Sequence, residues 1–567
     1  MRKPIERIII AGGGSAGWMS AAMLSKQFPD MQIALVESPD IPTVGVGEST
    51  LGTINSFMDA LGLTDTDWMK ECDATYKFGI KFTDFYEKGE AFYYPFGIKD
   101  TQNTQQGLTD WYVKKTLNPE TPNNDFYESF YSVMPLIYKN KVYDNADGQL
   151  PGFSFGSDVA YHMDATKFGN YLRDKICLPN GVVHIKEDIK EVNIDGEEYV
   201  TGLKLSNGDT IDADLYLDCT GFKSMLLKGA LNVPYDSFRD VLKNDYAWHC
   251  HLPYDDKEVE MENVTNCTAY DNGWIWNIPL YNRIGTGYVY DSKMYLNKPE
   301  FDDGSVGLTD HEYALEDFKK YLKNTDYMHF AKNVDDLEFK HIKIENGCHR
   351  TAWKTNVVGV GLAYGFIEPL ESTGLLSVQE VLLRLCETLH KPIVNRVYKD
   401  QFNIVNRQIM NGFRNFVGYH FTLSGRRDTE YWRQCTEWVR MDATVDDIKY
   451  DDVHTNMAEM ANRMLQSHDL PGDPYMGGVP DIFVGMNNLP ANPTQLGVLE
   501  NLLIARNGEV PEMFSQQTQD YWDQKKQYID MLAEDAPSHY QYLKDTIYEP
   551  VEVEDSGDIE GIEDESE

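Results

Sequence analysis

The chain has 567 residues, 42% of them hydrophobic, a length and composition that suit a globular protein of roughly two to four domains. It carries 91 acidic against 51 basic residues, a net charge of -40, which argues against nucleic acid or an anionic membrane as partner, since both need a basic face. No run of about 18 apolar residues is present to span a membrane, and the eight cysteines lack any Cys-x-x-Cys pair, so reduced core thiols in a cytoplasmic protein are expected.

In chain order, the apolar run Arg7-Ile8-Ile9-Ile10-Ala11 follows the N-terminus directly, without a secretory signal, and predicts a buried strand of the parallel type. Gly12-Gly13-Gly14-Ser15-Ala16-Gly17 comes next, then an apolar-periodic helix over 18–28 and a second strand, Gln32-Ile33-Ala34-Leu35-Val36, ending at Glu37. This is G-x-G-x-x-G in its strand–turn–helix–strand setting, with an acid 20 residues after the last glycine. The glycines permit a tight turn and close approach to a pyrophosphate. The helix N-terminus adds N–H donors, and Glu37 can accept from a ribose 2′-hydroxyl. The bland alternative is an ordinary glycine-rich βα turn.

Ile41-Pro42-Thr43-Val44-Gly45-Val46-Gly47-Glu48-Ser49-Thr50 is a second glycine-bearing loop able to wrap a large cofactor. Tyr76-Lys77-Phe78-Gly79-Ile80-Lys81-Phe82 predicts one strand, with Phe78, Ile80 and Phe82 on one face and Lys77 and Lys81 on the other. By itself it reads as a solvent-facing pair on an edge strand. Residues 184–194 and 200–205 alternate like half-exposed strands about an Asp195-Gly196 turn, and strands dominate again over 247–290. These predict an antiparallel sheet inserted into the dinucleotide-binding fold on the substrate side. In Gly273-Trp274-Ile275-Trp276-Asn277-Ile278-Pro279 the period of two puts both indoles on one face; a pair of core tryptophans is the plain reading.

Ala213-Asp214-Leu215-Tyr216-Leu217-Asp218-Cys219-Thr220-Gly221 predicts the strand and turn that return the chain to the nucleotide-binding domain. Val357-Val358-Gly359-Val360-Gly361-Leu362-Ala363 predicts another buried strand, ending where such folds contact the flavin. A second G-x-G-x-x-G unit is absent. The chain is therefore expected to hold FAD, with reduced flavin supplied by a separate NAD(P)H-dependent reductase. Phe366-Ile367-Glu368-Pro369-Leu370-Glu371-Ser372-Thr373-Gly374 then sets two carboxylates three residues apart around a proline, before a turn whose N–H groups can face an anion. Helices are predicted over 375–390, 392–416 (Pro392 in its first turn), 429–441, 453–467 and near 517–534. The tail 549–567 holds ten carboxylates and no base, and reads as disordered.

Three of these segments, in this order, resemble the motifs of the flavin-dependent halogenases. They are the K-x-x-I-K-F pattern at 77–82, W-x-W-x-I-P at 274–279 and F-x-E-P-L-E-S-T-G at 366–374. Tyr161-His162-Met163-Asp164-Ala165, Gly285-Thr286-Gly287-Tyr288-Val289, Tyr419-His420-Phe421-Thr422 and Arg427-Asp428-Thr429 add smaller matches, and the likeness covers roughly residues 1–500. The resemblance implies an α/β fold: a glutathione-reductase-like FAD-binding domain with an inserted antiparallel sheet and a mostly helical C-terminal region. It divides the chain into 1–375, holding FAD and halide with the sheet inserted at about 85–165 and 225–345; a helical part, 376–548, over the substrate pocket; and the acidic tail 549–567.

The same resemblance implies roles. Gly12, Gly14, Ser15, Ala16, Gly17, Glu37, Gly47, Ser49, Ile189, Gly361 and Leu362 would bind FAD. The backbone N–H groups of Thr373 and Gly374 would hold halide. Trp274, Trp276, Ile278, Pro279 and Ser372 would shape the flavin site and tunnel. Reduced FAD, oxygen and halide would yield hypohalous acid, which travels to Lys77 and Glu371. Lys77 would donate to it or form a haloamine, and Glu371 would orient the electrophile and take the arene's proton. No metal is implied, and many relatives are homo-oligomers.

The chain departs from the tryptophan halogenases in one respect. Phe96 keeps an aromatic position of the substrate pocket, but Tyr94 stands where those enzymes carry histidine, and 469–480 lacks their aromatic run with an embedded glutamate that cradles the amino acid. Its Pro and Gly residues predict an open loop. A free indole, phenol or heteroarene is thus expected rather than free L-tryptophan, as in some marine and viral members that lack the cradle. Halide preference is not readable from the sequence; bromide and iodide are easier to oxidise than chloride, so activity with them is expected. The alternatives are a flavin monooxygenase that hydroxylates an arene, which needs neither Lys77, Glu371 nor the tryptophan pair, and a catalytically silent FAD-binding protein.

Overall fold

The computed structural model describes residues 5–40, 47–98, 111, 114–115, 118–144, 149–296, 309–437, 478–487 and 516–550. The loop at 41–46, the helix at 453–467, most of the open loop at 469–480 and nearly all of the acidic tail lie outside the described residues.

The fold grows from Arg7–Ala11, whose Ile8, Ile9, Ile10 and Ala11 are buried on both faces. It lies between Leu215–Asp218 and Gln32–Glu37, parallel to both, with Ile8 level with Leu215 and Ile33. Val357–Gly359 and Val183–Lys186 extend this parallel sheet, and Trp353–Lys354 adds an antiparallel edge. The helix Ser15–Gln27 begins three residues earlier than expected, directly after Gly14. Its close seat on the first strand needs glycine at 17, since a Cβ there would lie 1.9 Å from the Gly12 carbonyl oxygen.

Among the described residues a second, larger sheet runs in the order Lys340–Lys343, Tyr246–Leu252, Ile284–Tyr290, Gly273–Pro279, Thr265–Tyr270, Gly79–Thr83 and Ala91–Pro95. Its pairings are antiparallel except that of Thr265–Tyr270 with Gly79–Thr83. The mixed α/β architecture is as expected. Ile189–Ile194 and Val200–Leu205 form a hairpin, but Val183–Lys186 belongs to the parallel sheet instead.

Three local expectations are corrected. The strand expected over 76–82 is two strands in different sheets, Thr75–Lys77 and Gly79–Thr83. At the junction the Phe78 N–H donates to the Asn263 carbonyl, so Lys77 and Lys81 do not share one strand face. The strand at 357–363 stops at Gly359, and Gly361–Ala363 is a 3₁₀ turn, because Gly361 takes a φ of 61°. Pro392 is not in a helix: Arg396–Thr422 starts later, where Asn395 Oδ1 accepts from the Tyr398 N–H.

The C-terminal segment returns to the body of the protein. His539 Nε2 accepts the Tyr76 N–H at 3.2 Å, one residue before Lys77, and the Tyr548 hydroxyl donates to the Ala74 carbonyl at 2.9 Å. The far end of the chain thus fastens the strand that carries Lys77. No described helix is long and apolar enough to cross a membrane, and the eight cysteines are buried and unbridged.

Candidate active site

At the C-terminal end of the parallel strands lies a cavity of about 1040 Å³, at the upper end of the about 300–1,000 Å³ usual for small-molecule sites. Gly12, Gly14, Ser15, Ala16, Glu37, Gly47, Ser49, Ile189, Gly361 and Leu362 all line it. Gly17 does not; it holds the helix against the strand. A Cβ on Gly14 would meet nothing within 4 Å, so the backbone at the helix start is open to the cavity. The lining suits FAD, whose pyrophosphate would face the N–H groups at the helix N-terminus. Glu37 is not free-standing: its Oε2 lies 2.7 Å from His184 Nε2 on the neighbouring strand. No sequence pattern marks His184, because the pairing depends on parallel register.

At the other side of the cavity the helix Thr373–Leu389 begins. Its N-cap, Ser372, sits at a φ of 57° and no side chain caps the first turn, so its N–H groups stay available. Ser372 and Gly374 line the cavity; Thr373 does not. Glu48 also lines it. Its Oε2 lies 3.4 Å from where a Cβ on Gly374 would be, and burial alone raises its pKa to about 7. The sequence reading passed over Glu48.

Trp276 and Ile278 face the cavity, while Trp274 and Pro279 do not line it. The two indoles are 6.0 Å apart, on one face as the spacing predicted. Trp274 Nε1 donates to Glu368 Oε2 at 2.7 Å, and Asn244 Nδ2 donates to the same oxygen at 2.7 Å. Glu368 is fully buried, and burial raises its pKa to about 7 despite these donors. The first carboxylate of the motif therefore anchors the tryptophan strand. Since its folded pKa stands above the unfolded one, its contribution to stability is present at acid pH and is lost as pH rises through about 7. Glu368→Gln is expected to keep the fold and weaken that loss; a Tm–pH curve from pH 4 to 8 identical to wild type would refute this.

Lys77 is fully buried. Its Nζ donates to the Thr50 carbonyl and to Ser372 Oγ, both at 2.8 Å, and lies 5.0 Å from the centre of the Phe96 ring. Burial lowers its pKa to about 7, partly opposed by the Glu371 charge. Tyr94 packs edge-on against Phe96 and Phe416. Lys77, Phe96 and Ser372 are thus brought together from distant parts of the chain.

Glu371 is also fully buried. His420 Nε2 lies 2.8 Å from its Oε1, an ion-pair approach without aligned hydrogen-bond geometry, so neither carboxyl oxygen has an aligned partner among the described residues. Burial raises the Glu371 pKa, and His420 and Lys77 pull it back. His420 Nδ1 faces the Phe416 carbonyl at 3.2 Å. If Nδ1 donates there, one proton must lie between Nε2 and Oε1. His420 appeared in the sequence only as part of a minor match; its contact with Glu371 spans two helical segments.

Residues 7–468 match the model of the tryptophan halogenase family. The 7-chloro-L-tryptophan 6-halogenase KtzR of Kutzneria sp. (strain 744) is 31% identical over 561 residues, covering 94% of this chain and 98% of that protein. The tryptophan 7-halogenase RebH of Lentzea aerocolonigenes is 32% identical over 448 residues, covering 76% and 79%. Among solved structures, the apo structure of VirX1 has a TM-score of 0.82 and 36% identity, covering 96% of this chain and 100% of that one.

Proposed function

Since this chain belongs to the tryptophan halogenase family, whose members are flavin-dependent oxidoreductases served by a separate flavin reductase, we propose that it halogenates a free, electron-rich arene through Lys77 and Glu371. The family implies FAD, halide and oxygen as its reagents. Bound and reduced, FAD supplies with oxygen the two-electron oxidation of halide to hypohalous acid.

The observation that carries the reading is the burial of a lysine and a carboxyl group without solvent contact, one wired to the cavity wall through Ser372 and the other facing His420 at 2.8 Å with no aligned hydrogen-bond partner among the described residues. Buried, perturbed groups beside a cofactor cleft are candidates for catalysis. Glycines 12 and 14 hold the pyrophosphate, Glu37 the ribose, and the Thr373 and Gly374 N–H groups the halide. Trp276 and Ile278 fill the cavity wall, keeping a bulky arene away from the flavin. Lys77, close to neutrality at physiological pH, receives the electrophilic halogen, and Glu371 takes the ring proton. Tyr94 and the sequence of 469–480 favour an indole, phenol or heteroarene over free L-tryptophan.

A mass-spectrometric screen tests this. Protein, FAD, NADH and an unrelated flavin reductase would be incubated with indoles, phenols and L-tryptophan, with catalase and with chloride, bromide or iodide. A halide-dependent mass shift on the free arenes, lost in Lys77→Ala, is expected. An oxygen-only shift would identify a monooxygenase, and efficient turnover of L-tryptophan would overturn the substrate assignment.

Glu48 makes halide binding dependent on pH. Below about pH 7 its carboxyl is neutral; above it the anion faces the halide site and repels the ligand. Bromide affinity of the FAD-loaded protein, read by flavin fluorescence, is expected to fall from pH 6 to 8, and Glu48→Gln to remove the fall. An equal fall in the variant would exclude Glu48.

A further inference from the structure

We infer that His162 is the internal proton acceptor of Lys77, reached through the hydroxyls of Ser372, Ser49 and Thr265; this rests on the role given to Lys77 above. Lys77 Nζ donates to Ser372 Oγ at 2.8 Å, and Ser372 Oγ donates to Ser49 Oγ at 3.1 Å. Ser49 Oγ lies 2.6 Å from Thr265 Oγ1, which lies 2.9 Å from His162 Nε2. Beyond the ring, His162 Nδ1 lies 3.2 Å from Thr75 Oγ1, and Thr75 donates to the Pro279 carbonyl at 2.6 Å. All six side chains are buried, Lys77, Thr75 and His162 completely.

Counting hydrogens fixes the direction of the chain. Thr75 has one hydroxyl hydrogen and gives it to Pro279, so it accepts from His162 Nδ1–H. Neutral His162 then carries its lone pair on Nε2, which takes the hydrogen of Thr265. Thr265 accepts from Ser49, Ser49 from Ser372, and Ser372 from Lys77. The line starts at a charged donor and ends at an empty nitrogen. His162 lies in the Tyr161-His162-Met163-Asp164-Ala165 match, which the halogenase reading left without a role.

Along this line one proton leaves Lys77 Nζ for Ser372 Oγ as Ser372 passes its own to Ser49, Ser49 to Thr265, and Thr265 to His162 Nε2. Lys77 ends as an amine and His162 as an imidazolium. Each hydroxyl keeps one hydrogen with its direction reversed; charge is conserved and no electron moves. The amine lone pair, which then accepts from the Ser372 hydroxyl, is what bond formation to an electrophilic halogen requires once the amine turns from Ser372. Glu371 and Cys267 act on Lys77, and Lys77 and His539 act on His162. Burial is the largest cause that keeps His162 neutral and it persists throughout; the Lys77 charge comes next, and that part disappears as the proton departs. Glu371 opposes the departure.

His162→Gln offers an oxygen toward Thr265 and an N–H toward Thr75 but cannot take a proton. It is expected to bind FAD with wild-type affinity by flavin fluorescence and to lose halogenation by about tenfold or more at pH 6. The loss should close toward wild type at pH 9, where solvent can deprotonate Lys77. A rate equal to wild type at pH 6, or a deficit equal at both pH values, would overturn the inference. If His162→Gln fails to bind FAD, Thr265→Val cuts the line one link earlier and is judged by the same pH profile. In the FAD-free protein, ¹⁵N-histidine NMR should show His162 titrating at higher pH in Lys77→Met than in wild type; an unmoved midpoint would mean that the two nitrogens do not share a proton. Lys77→Ala run alongside separates the readings. If it halogenates normally, the role of Lys77 falls and the inference with it. If it is silent while His162→Gln has a flat deficit, the inference alone falls.

Discussion

Lys77→Ala is expected to abolish arene halogenation, a fall of about 10³-fold or more, while FAD binding and flavin-driven NADH consumption stay at the wild-type level. Among the described residues the side chain reaches the cavity wall through Ser372, and it is not itself among the residues that line the cavity. On the proposed function, its loss removes the group that would take up electrophilic halogen and leaves the glycine-rich cradle intact. The effect on stability runs the other way from that on activity. A buried cation costs several kcal/mol of desolvation, so Lys77→Met, which keeps the volume and drops the charge, is expected to raise Tm while remaining inactive. Product formation by mass spectrometry, FAD affinity by fluorescence and Tm by calorimetry check the three parts. Full halogenation by the alanine variant would remove Lys77 from the mechanism.

Glu371→Gln is expected to lower halogenation by about 10²-fold with FAD affinity unchanged. The amide keeps the shape and can still orient an electrophile, but it cannot accept the arene's proton. Because burial raises the Glu371 pKa, the basic carboxylate form is gained only above the ordinary carboxylate range. The acid limb of the wild-type pH–rate profile should therefore lie above that range and be absent from the variant. Unchanged product formation would make Glu371 a structural residue, and the His420 contact would then serve packing alone.

Much of the nucleotide-binding half was legible in the sequence, because its signals are local. A β-branched run bounded by glycine forms a buried strand, and glycine at 17 answers to the Gly12 carbonyl within the same short motif, although Gly12 itself makes room for the distant Cys219 carbonyl. Period-two spacing placed Trp274 and Trp276 on one face, and the structure keeps them there. Alternation misled at 76–82, since the chain changes sheet at Phe78, where the Asn263 carbonyl takes its N–H. Alternation describes one continuous strand and carries no notice of a partner 185 residues away. Pro392 misled in the same manner, because the asparagine that caps the helix outweighed a proline merely tolerated near it.

The fold class, the glycine-rich cradle and Lys77 and Glu371 as candidates can all be read from the chain alone, since each rests on neighbours within a motif. Tertiary structure decided what those two groups are worth chemically. Burial moves the lysine toward neutrality and lifts the carboxyl, and neither effect is a property of nearby residues in the chain. Ser372 lies 295 positions from the lysine it accepts from, and Thr265 lies 103 from His162. Hydrogen-bond partners of buried groups are chosen by the packing of distant segments into a space that excludes water, where most donors must find an acceptor.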